Sequence, residues 1–178
     1  IKTNVLGTTK ILKLAKKYKL KKVVIPTTPD VTWINPYKIT KQAIEKTAQL
    51  FNLEYGLNVS CLKLGNIYGP RERWLEANQS NMDCPFNYQK VVPSFIMDTL
   101  YGKQITIYGD GHQKSEYIYV EDVVNAFYLT INSKENFGIE IIHVGSGKNL
   151  SVIDIIEGLE IAWNRKLEKN FVKMRPGE

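Results

Sequence analysis

The sequence predicts an α/β protein with a mainly parallel sheet covered by helices, and three observations carry that prediction. Helical and strand-like stretches alternate along the chain, as in successive βαβ units. The helical stretches carry apolar residues at spacings of three and four, whereas the strand-like stretches are short apolar runs. Gly, Pro and Asn punctuate the joins, as at Asn35-Pro36, Gly56 and Gly109-Asp110-Gly111.

Taken in order, residues 3 to about 19 read as an amphipathic helix, with Thr3 or Asn4 as its cap. Val5, Ile11, Leu12, Leu14, Ala15 and Tyr18 make its apolar stripe. Residues 22–27 read as a short buried strand, and 28–35 as a loop containing Pro29 and Asp30. Pro36 suits a helix start, so a helix is expected from Tyr37 to about Tyr55, carried by Ile39, Ala43, Ala48, Leu50 and Leu53 and stopped by Gly56. Residues 59–64 read as a second strand. Residues 69–89 are polar and lack a period, and a loop of that length is functional or flexible. Then follow a helix over 91–101, strands over 104–108 and 117–120, and a helix over 121–132 with acids in its first turn. A strand over 139–144, a helix over 151–163 and a strand over 171–173 complete the order.

Composition sets limits on function. The chain has 178 residues, enough for one domain or part of a larger one, and is 43% hydrophobic and 24% charged, as in an ordinary globular protein. No apolar run approaches the ~20 residues that span a bilayer, and no charged-then-apolar leader opens it. The net charge of +6 owes much to Lys10, Lys13, Lys16, Lys17, Lys19, Lys21 and Lys22. These occupy the polar face and C-terminal end of the first helix, where cations suit the dipole, and no aromatic residues alternate with them as single-strand binding requires. A nucleic-acid partner is therefore not expected. Cys61 reads as a buried thiol in a strand and Cys84 as a loop residue, which fits a reducing compartment, the cytoplasm, without a disulfide framework. With only His112 and His143 and no Cys cluster, no structural zinc is expected. Gly145-Ser146-Gly147-Lys148 lacks the outer glycine and following Ser/Thr of a phosphate loop, and reads as a glycine turn.

One stretch carries chemistry. Between Val23 and Lys41 a strand ends in Thr27-Thr28 and a helix opens with Tyr37-x-x-x-Lys41. Residues four apart share a helix face, so the Lys41 ammonium can lie beside the Tyr37 phenol and favour its ionised form. Thr28 can hydrogen-bond the same reacting oxygen. Spacing alone favours the plainer reading, a surface pair that only supports the helix.

Several motifs in sequence resemble those of the extended short-chain dehydrogenase/reductase family, the NAD-dependent sugar-nucleotide epimerases and dehydratases. Asn4-Val5-Leu6-Gly7-Thr8 resembles its N-V-x-G-T helix start, and Thr27-Thr28 its strand-end hydroxyl pair. Tyr37-x-x-x-Lys41 resembles its catalytic couple. Asn66-Ile67-Tyr68-Gly69-Pro70-Arg71 is similar to N-V-Y-G-P-R, and Val92-Pro93-Ser94-Phe95-Ile96 to V-I-P-x-F-I. Gly109-Asp110-Gly111-His112-Gln113 with Tyr117-Ile118-Tyr119-Val120-Glu121-Asp122-Val123 is close to G-D-G-x-Q-x-R-D-F-I-Y-V-x-D-V. Arg175-Pro176-Gly177-Glu178 resembles R-P-G-D.

The resemblance implies the C-terminal part of a Rossmann-like parallel sheet plus a smaller mixed α/β substrate-binding region. Residues 1–66 would form the partial dinucleotide-binding part. Residues 67–178 would form the substrate part, with some segments returning to the core. It implies an NAD-dependent epimerase of the UDP-glucose 4-epimerase type, acting through a keto-sugar. Tyr37 would move the proton of a sugar hydroxyl, Lys41 would hold the nicotinamide ribose and depress the Tyr37 pKa, and Thr28 would orient the sugar oxygen. Asn4 would lie beside NAD. Asn66, Val92 and Pro93 would meet the nucleotide of a nucleoside-diphosphate sugar, and Arg175 its diphosphate. A homodimer through the helices at 3–19 and 37–55 is also implied.

The chain departs from the family pattern in places. It contains no G-x-x-G-x-x-G turn for the cofactor pyrophosphate, so we expect an upstream part and an inactive fragment without it. Val31-Thr32-Trp33 stands in a shortened loop, and Ser115-Glu116 replaces Arg-Asp. Pro29-Asp30 stands where dehydratases carry an Asp-Glu pair, which favours epimerisation. The alternatives are a 4,6-dehydratase or decarboxylase of the same family, or a degenerate homologue that binds without turnover.

Overall fold

A computed structural model describes residues 1–29, 35–72, 90–137 and 140–174. Asp30, the loop around Val31-Thr32-Trp33, Cys84, most of the long polar stretch and Arg175 lie outside the described residues. Two compact units are formed, one by residues 1–67 and 118–146, the other by 68–117 and 147–178.

The first unit is built on a parallel sheet. Strands β1 (Val23–Thr27), β2 (Val59–Leu64) and β6 (Ile141–Val144) lie in the order β1-β2-β6, with Ile25 opposite Cys61 and Cys61 opposite Ile141. Alternate side chains point to opposite faces. Ile25, Val59 and Cys61 pack with Leu12 and Ala15 of helix α1 (Thr8–Lys17) and Ile44, Ala48 and Phe51 of helix α2 (Pro36–Tyr55). Val24, Leu62 and Leu64 face the other way, toward Val123 and Phe127 of helix α4 (Val120–Asn132). Helices therefore cover both faces, which is why β2 is buried along its whole length. Strand β3 (Asn66–Tyr68) follows β2. The Lys22 ammonium donates to the carbonyls of Thr130, Ser133 and Glu135 at 2.8–3.0 Å, closing the end of α4 with a cation.

The second unit holds helix α3 (Val91–Leu100), the parallel pair β4 (Ile105–Tyr108) and β8 (Lys169–Val172), and helix α5 (Val152–Trp163). Phe95, Ile105, Ile107, Val152, Ile156 and Leu167 form its core. Strand β5 (Lys114–Tyr119) pairs antiparallel, through Lys114–Glu116, with the three-residue strand β7 (Asn149–Ser151). Ser151 and Asp154 make a reciprocal capping box at the start of α5.

Two expectations are corrected. The first helix is not regular from residue 3. Lys2–Gly7 is a turn of π-helix, in which the Leu6 N–H reaches the Ile1 carbonyl at 3.3 Å, and α1 follows it. Neither Thr3 nor Asn4 caps it; the Asn4 amide is drawn sideways onto Thr40. Of the apolar residues singled out on α2, Ala48 is buried and Ala43 half-buried, but the other three do not mark its buried face. Ile39, Leu50 and Leu53 are exposed, and the inward face is Thr40, Ile44, Glu45, Ala48 and Phe51. On α1, likewise, Leu12 and Ala15 face inward while Ile11, Leu14 and Tyr18 are exposed.

Candidate active site

The site is built around the N-terminal turn of α2. Asn35 adopts extended backbone and its side-chain oxygen accepts from the Lys38 N–H at 2.8 Å, while Pro36 fills the first helical position. Helix α2 therefore starts at a fixed residue, and Tyr37 falls in its first turn. Tyr37 is 56% exposed. One turn further, the Lys41 Nζ lies 5.6 Å from the Tyr37 ring centroid and donates to the Pro26 carbonyl of β1 at 3.1 Å. Burial lowers the pKa of Lys41, because a half-buried ammonium is partly stripped of water. Thr27 closes β1, buried and directed at the Leu62 carbonyl, and Thr28 follows it, half-buried. Tyr37 and Lys41 are thus brought together, with the ammonium anchored two residues before Thr28.

Asn4 joins this cluster through a relay that sequence reasoning missed. Its amide donates to the Thr40 hydroxyl at 2.9 Å, and that hydroxyl donates to the Tyr37 carbonyl at 2.8 Å. Thr40 is buried. The π-turn widens the helix where Asn4 sits, a distortion that recurs at functional sites. Only the hydroxyl within Tyr-x-x-Thr-Lys could have signalled this role.

A second missed feature lies one turn beyond Lys41. Glu45 on α2 pairs with Lys63 on β2 at 3.6 Å, with both side chains buried. A lysine amid the apolar run Val59–Leu64 is the signal that could have exposed it. The same neighbourhood pushes the buried Cys61 thiol up to about 11, first by burial and then by the Glu45 charge, so it is an inert core thiol.

The remaining predicted residues are placed as follows. Asn66 opens β3 and is exposed. Val92 and Pro93 lie in the first turn of α3, Val92 half-buried and Pro93 buried. Ser115 stands in β5 opposite Leu150, and the Glu116 carboxylate accepts the Gly147 N–H at 2.7 Å, so the glycine turn is held by this acid. An open hollow of 590 Å³ at the end of α5 is lined by Glu157, Glu160, Ile161, Asn164, Arg165 and Lys166. None of the predicted site residues lines it, and Glu160 is already bound by Lys166 and Lys169. Among the described residues no helix is long and apolar enough to cross a membrane, and no three His, Cys, Asp or Glu gather as metal ligands.

The chain is 28% identical over 194 residues to the UDP-glucuronate 4-epimerase of Thermodesulfobacterium geofontis, covering 100% of this chain and 55% of that protein. Its fold matches the UDP-glucuronic acid 4-epimerase of Bacillus cereus, crystallised with UDP-glucuronic acid and NAD, with a TM-score of 0.81 and 26% identity over 99% of this chain and 57% of that one. It also matches the UDP-N-acetylglucosamine 4-epimerase of Methanobrevibacter ruminantium M1, crystallised with UDP-N-acetylmuramic acid. That TM-score is 0.84 at 26% identity, over 99% of this chain and 58% of that one. The chain spans somewhat more than half the length of these relatives. A family profile for NAD dependent epimerases and dehydratases matches residues 1–145, and the chain belongs to that family.

Proposed function

We propose that this chain carries the catalytic couple of an NAD-dependent sugar-nucleotide 4-epimerase, which inverts a carbinol of a nucleoside-diphosphate sugar through a keto-sugar. The observation that carries the reading is the exposed Tyr37 beside a Lys41 ammonium anchored on the Pro26 carbonyl. The donor set suits the nicotinamide ribose. An ammonium has three N–H donors; one is directed at Pro26, and two are available to a pair of ribose hydroxyls. NAD, when bound, supplies reversible two-electron oxidation of the sugar carbinol. Tyr37 takes the hydroxyl proton as the carbinol is oxidised and returns it after the keto-sugar has turned its other face. Lys41 holds the ribose. Thr28 orients the reacting oxygen. Asn4 stands beside the cofactor, Asn66, Val92 and Pro93 meet the nucleotide, and Arg175 meets its diphosphate.

A homodimer fits the outer faces of α1 and α2. Ile11, Leu14 and Tyr18 on one helix and Ile39, Leu50 and Leu53 on the other leave an apolar surface that a second copy would cover. A cytoplasmic location fits the free thiol at Cys61.

The test uses full-length protein carrying its cofactor. Incubation with UDP-glucose, UDP-glucuronic acid and UDP-N-acetylglucosamine, read by NMR of the sugar protons, is expected to show conversion of at least one to its 4-epimer. Tyr37→Phe should lower turnover by at least ~10³-fold while leaving sugar-nucleotide binding within about threefold. Release of a dehydrated 4-keto product would favour a dehydratase. Binding without turnover, unchanged by Tyr37→Phe, would favour a binding protein.

A further inference from the structure

Helix α1 carries a charged face that the proposed chemistry does not use. The only charged side chains of residues 1–29 are lysines; the stretch has no Asp, Glu or Arg. Leu12 and Ala15 turn inward from α1. Lys10, Lys13 and Lys17, spaced by three and four, form one exposed stripe on the opposite side of the helix. The stripe is about 10 Å long, and the exposed Lys19, Leu20 and Lys21 follow it beyond the helix end.

Neither packing nor helix stability accounts for the stripe. The helix dipole favours cations in the last turn, where Lys16 and Lys17 stand, but not at Lys10 and Lys13. Lys10–Lys13 and Lys13–Lys17 are like-charge neighbours at i,i+3 and i,i+4, a spacing at which repulsion weakens a helix. A solvated helix face usually alternates acids with its lysines at that spacing. Here, among the described residues, no acid pairs with a lysine of the stripe. Other lysines of the segment are engaged: Lys16 lies over the Tyr55 ring at 3.5 Å, and Lys22 holds the carbonyls at the end of α4. Lys17 lies over its neighbour Tyr18 at 5.5 Å and stays exposed.

We propose that this face of α1 docks on an anionic lipid surface. Complementary charge is the first reason, and the residue types choose lipid over other anions. Lysine is a compact point charge without the planar fork that matches a single phosphate or carboxylate. A row of lysines without Arg therefore suits diffuse negative charge rather than one phosphate or an acidic peptide. Leu20, 52% exposed between Lys19 and Lys21, adds an apolar group beside the cations, which a headgroup–acyl boundary accommodates and a nucleic-acid backbone does not. The stripe excludes Ile11, Leu14 and Tyr18, the flank assigned to a second copy. Docking here is independent of the epimerase reading, since no lysine of the stripe belongs to the candidate active site.

The experiment is co-sedimentation of full-length protein with vesicles of phosphatidylcholine alone and with about 30% phosphatidylglycerol. Binding is expected only to the anionic vesicles, and should fall at least ~10-fold between about 50 and about 300 mM NaCl. Replacing three stripe lysines together, Lys10→Gln, Lys13→Gln and Lys17→Gln, should lower the partition coefficient about 100-fold, roughly fivefold per lysine. Lys46→Gln, Lys103→Gln and Lys134→Gln, at exposed lysines elsewhere, change the net charge equally and should keep it within about threefold of the parent. Leu20→Ser should lower vesicle binding about fivefold. Turnover of soluble sugar nucleotide should be the same in the stripe variant as in the parent. No preference for anionic vesicles, equal losses in the two triple variants, or tighter binding to duplex DNA than to anionic vesicles at the same salt would overturn the proposal.

Discussion

Replacing Thr40 by valine tests whether the π-turn asparagine steadies the start of α2. Valine keeps the shape of threonine and removes one oxygen. That oxygen accepts from the Asn4 amide at 2.9 Å and donates to the Tyr37 carbonyl at 2.8 Å, so two hydrogen bonds are lost together. Each neutral bond contributes about 1 kcal/mol net. Thr40 is buried, but Asn4 is half-buried and its amide regains water, which reduces the penalty on that side. The loss should be about 1–2 kcal/mol, or roughly 3–6 °C in Tm for a chain of this size. Turnover should fall about tenfold, because Asn4 and the Tyr37 turn lose their common anchor. Thr40→Ser restores the oxygen and should recover most of both effects. Thermal denaturation and turnover, measured on the three proteins side by side, read the result. A valine variant as stable as the parent, or a serine variant as damaged as valine, would refute the relay.

Three further outcomes follow from the structure. Lys22→Met removes a cation that binds three carbonyls at the end of α4 and should cost about 2–3 kcal/mol in urea unfolding, more than an exposed lysine elsewhere on the surface. Glu160 is held down to about 2 by bonds from Lys166, Lys169 and the Leu167 N–H. A carboxylate with a depressed folded pKa stabilises fully above its unfolded value, near 4.5, and loses that contribution as pH falls through about 2, so Glu160→Gln should flatten the acid limb of the stability profile between those values. Gly111 has φ +77°, and a Cβ there would meet Ile153 at 2.9 Å and Ile107 at 3.2 Å; Gly111→Ala should therefore cost about 2 kcal/mol by thermal denaturation, and equal stability would show that the turn relaxes.

How much could be read beforehand depended on whether the determining contacts were local. Helix α2 was legible because Asn35-Pro36 and Gly56 encode its ends within a few residues. The strands β1 and β2 were legible because both faces are covered, so their runs are mostly apolar, interrupted in β2 by Ser60 and Lys63. The couple Tyr37–Lys41 was legible because helix geometry alone places i and i+4 side by side. The π-turn was not, since its distinguishing contact is Asn4 with Thr40, 36 residues away. Strand β7 was missed because three residues in a polar turn carry no period. The inward face of α2 was found only at Ala48 and missed elsewhere, because the helix is apolar on two sides. Ile44, Ala48 and Phe51 serve the core, while Ile39, Leu50 and Leu53 remain outside. Nothing within the helix distinguishes the two.

The tethers on α2 act on different freedoms. The Asn35 cap sets where the helix begins. The Asn4–Thr40 bond holds its first turn against the π-turn, and Glu45–Lys63 holds the next against the sheet. Pro26 adds a fourth constraint at low cost. In a strand at the edge of its described sheet, a missing N–H sacrifices no inner ladder bond, and the Pro26 carbonyl is the group that receives Lys41. A proton-transfer couple loses rate steeply with small displacements. Substitutions at Thr40 should therefore depress turnover more than their stability losses alone would suggest. Substitutions at Lys22 or Gly111, which touch none of the tethers, should lower stability and leave the turnover of the folded fraction intact.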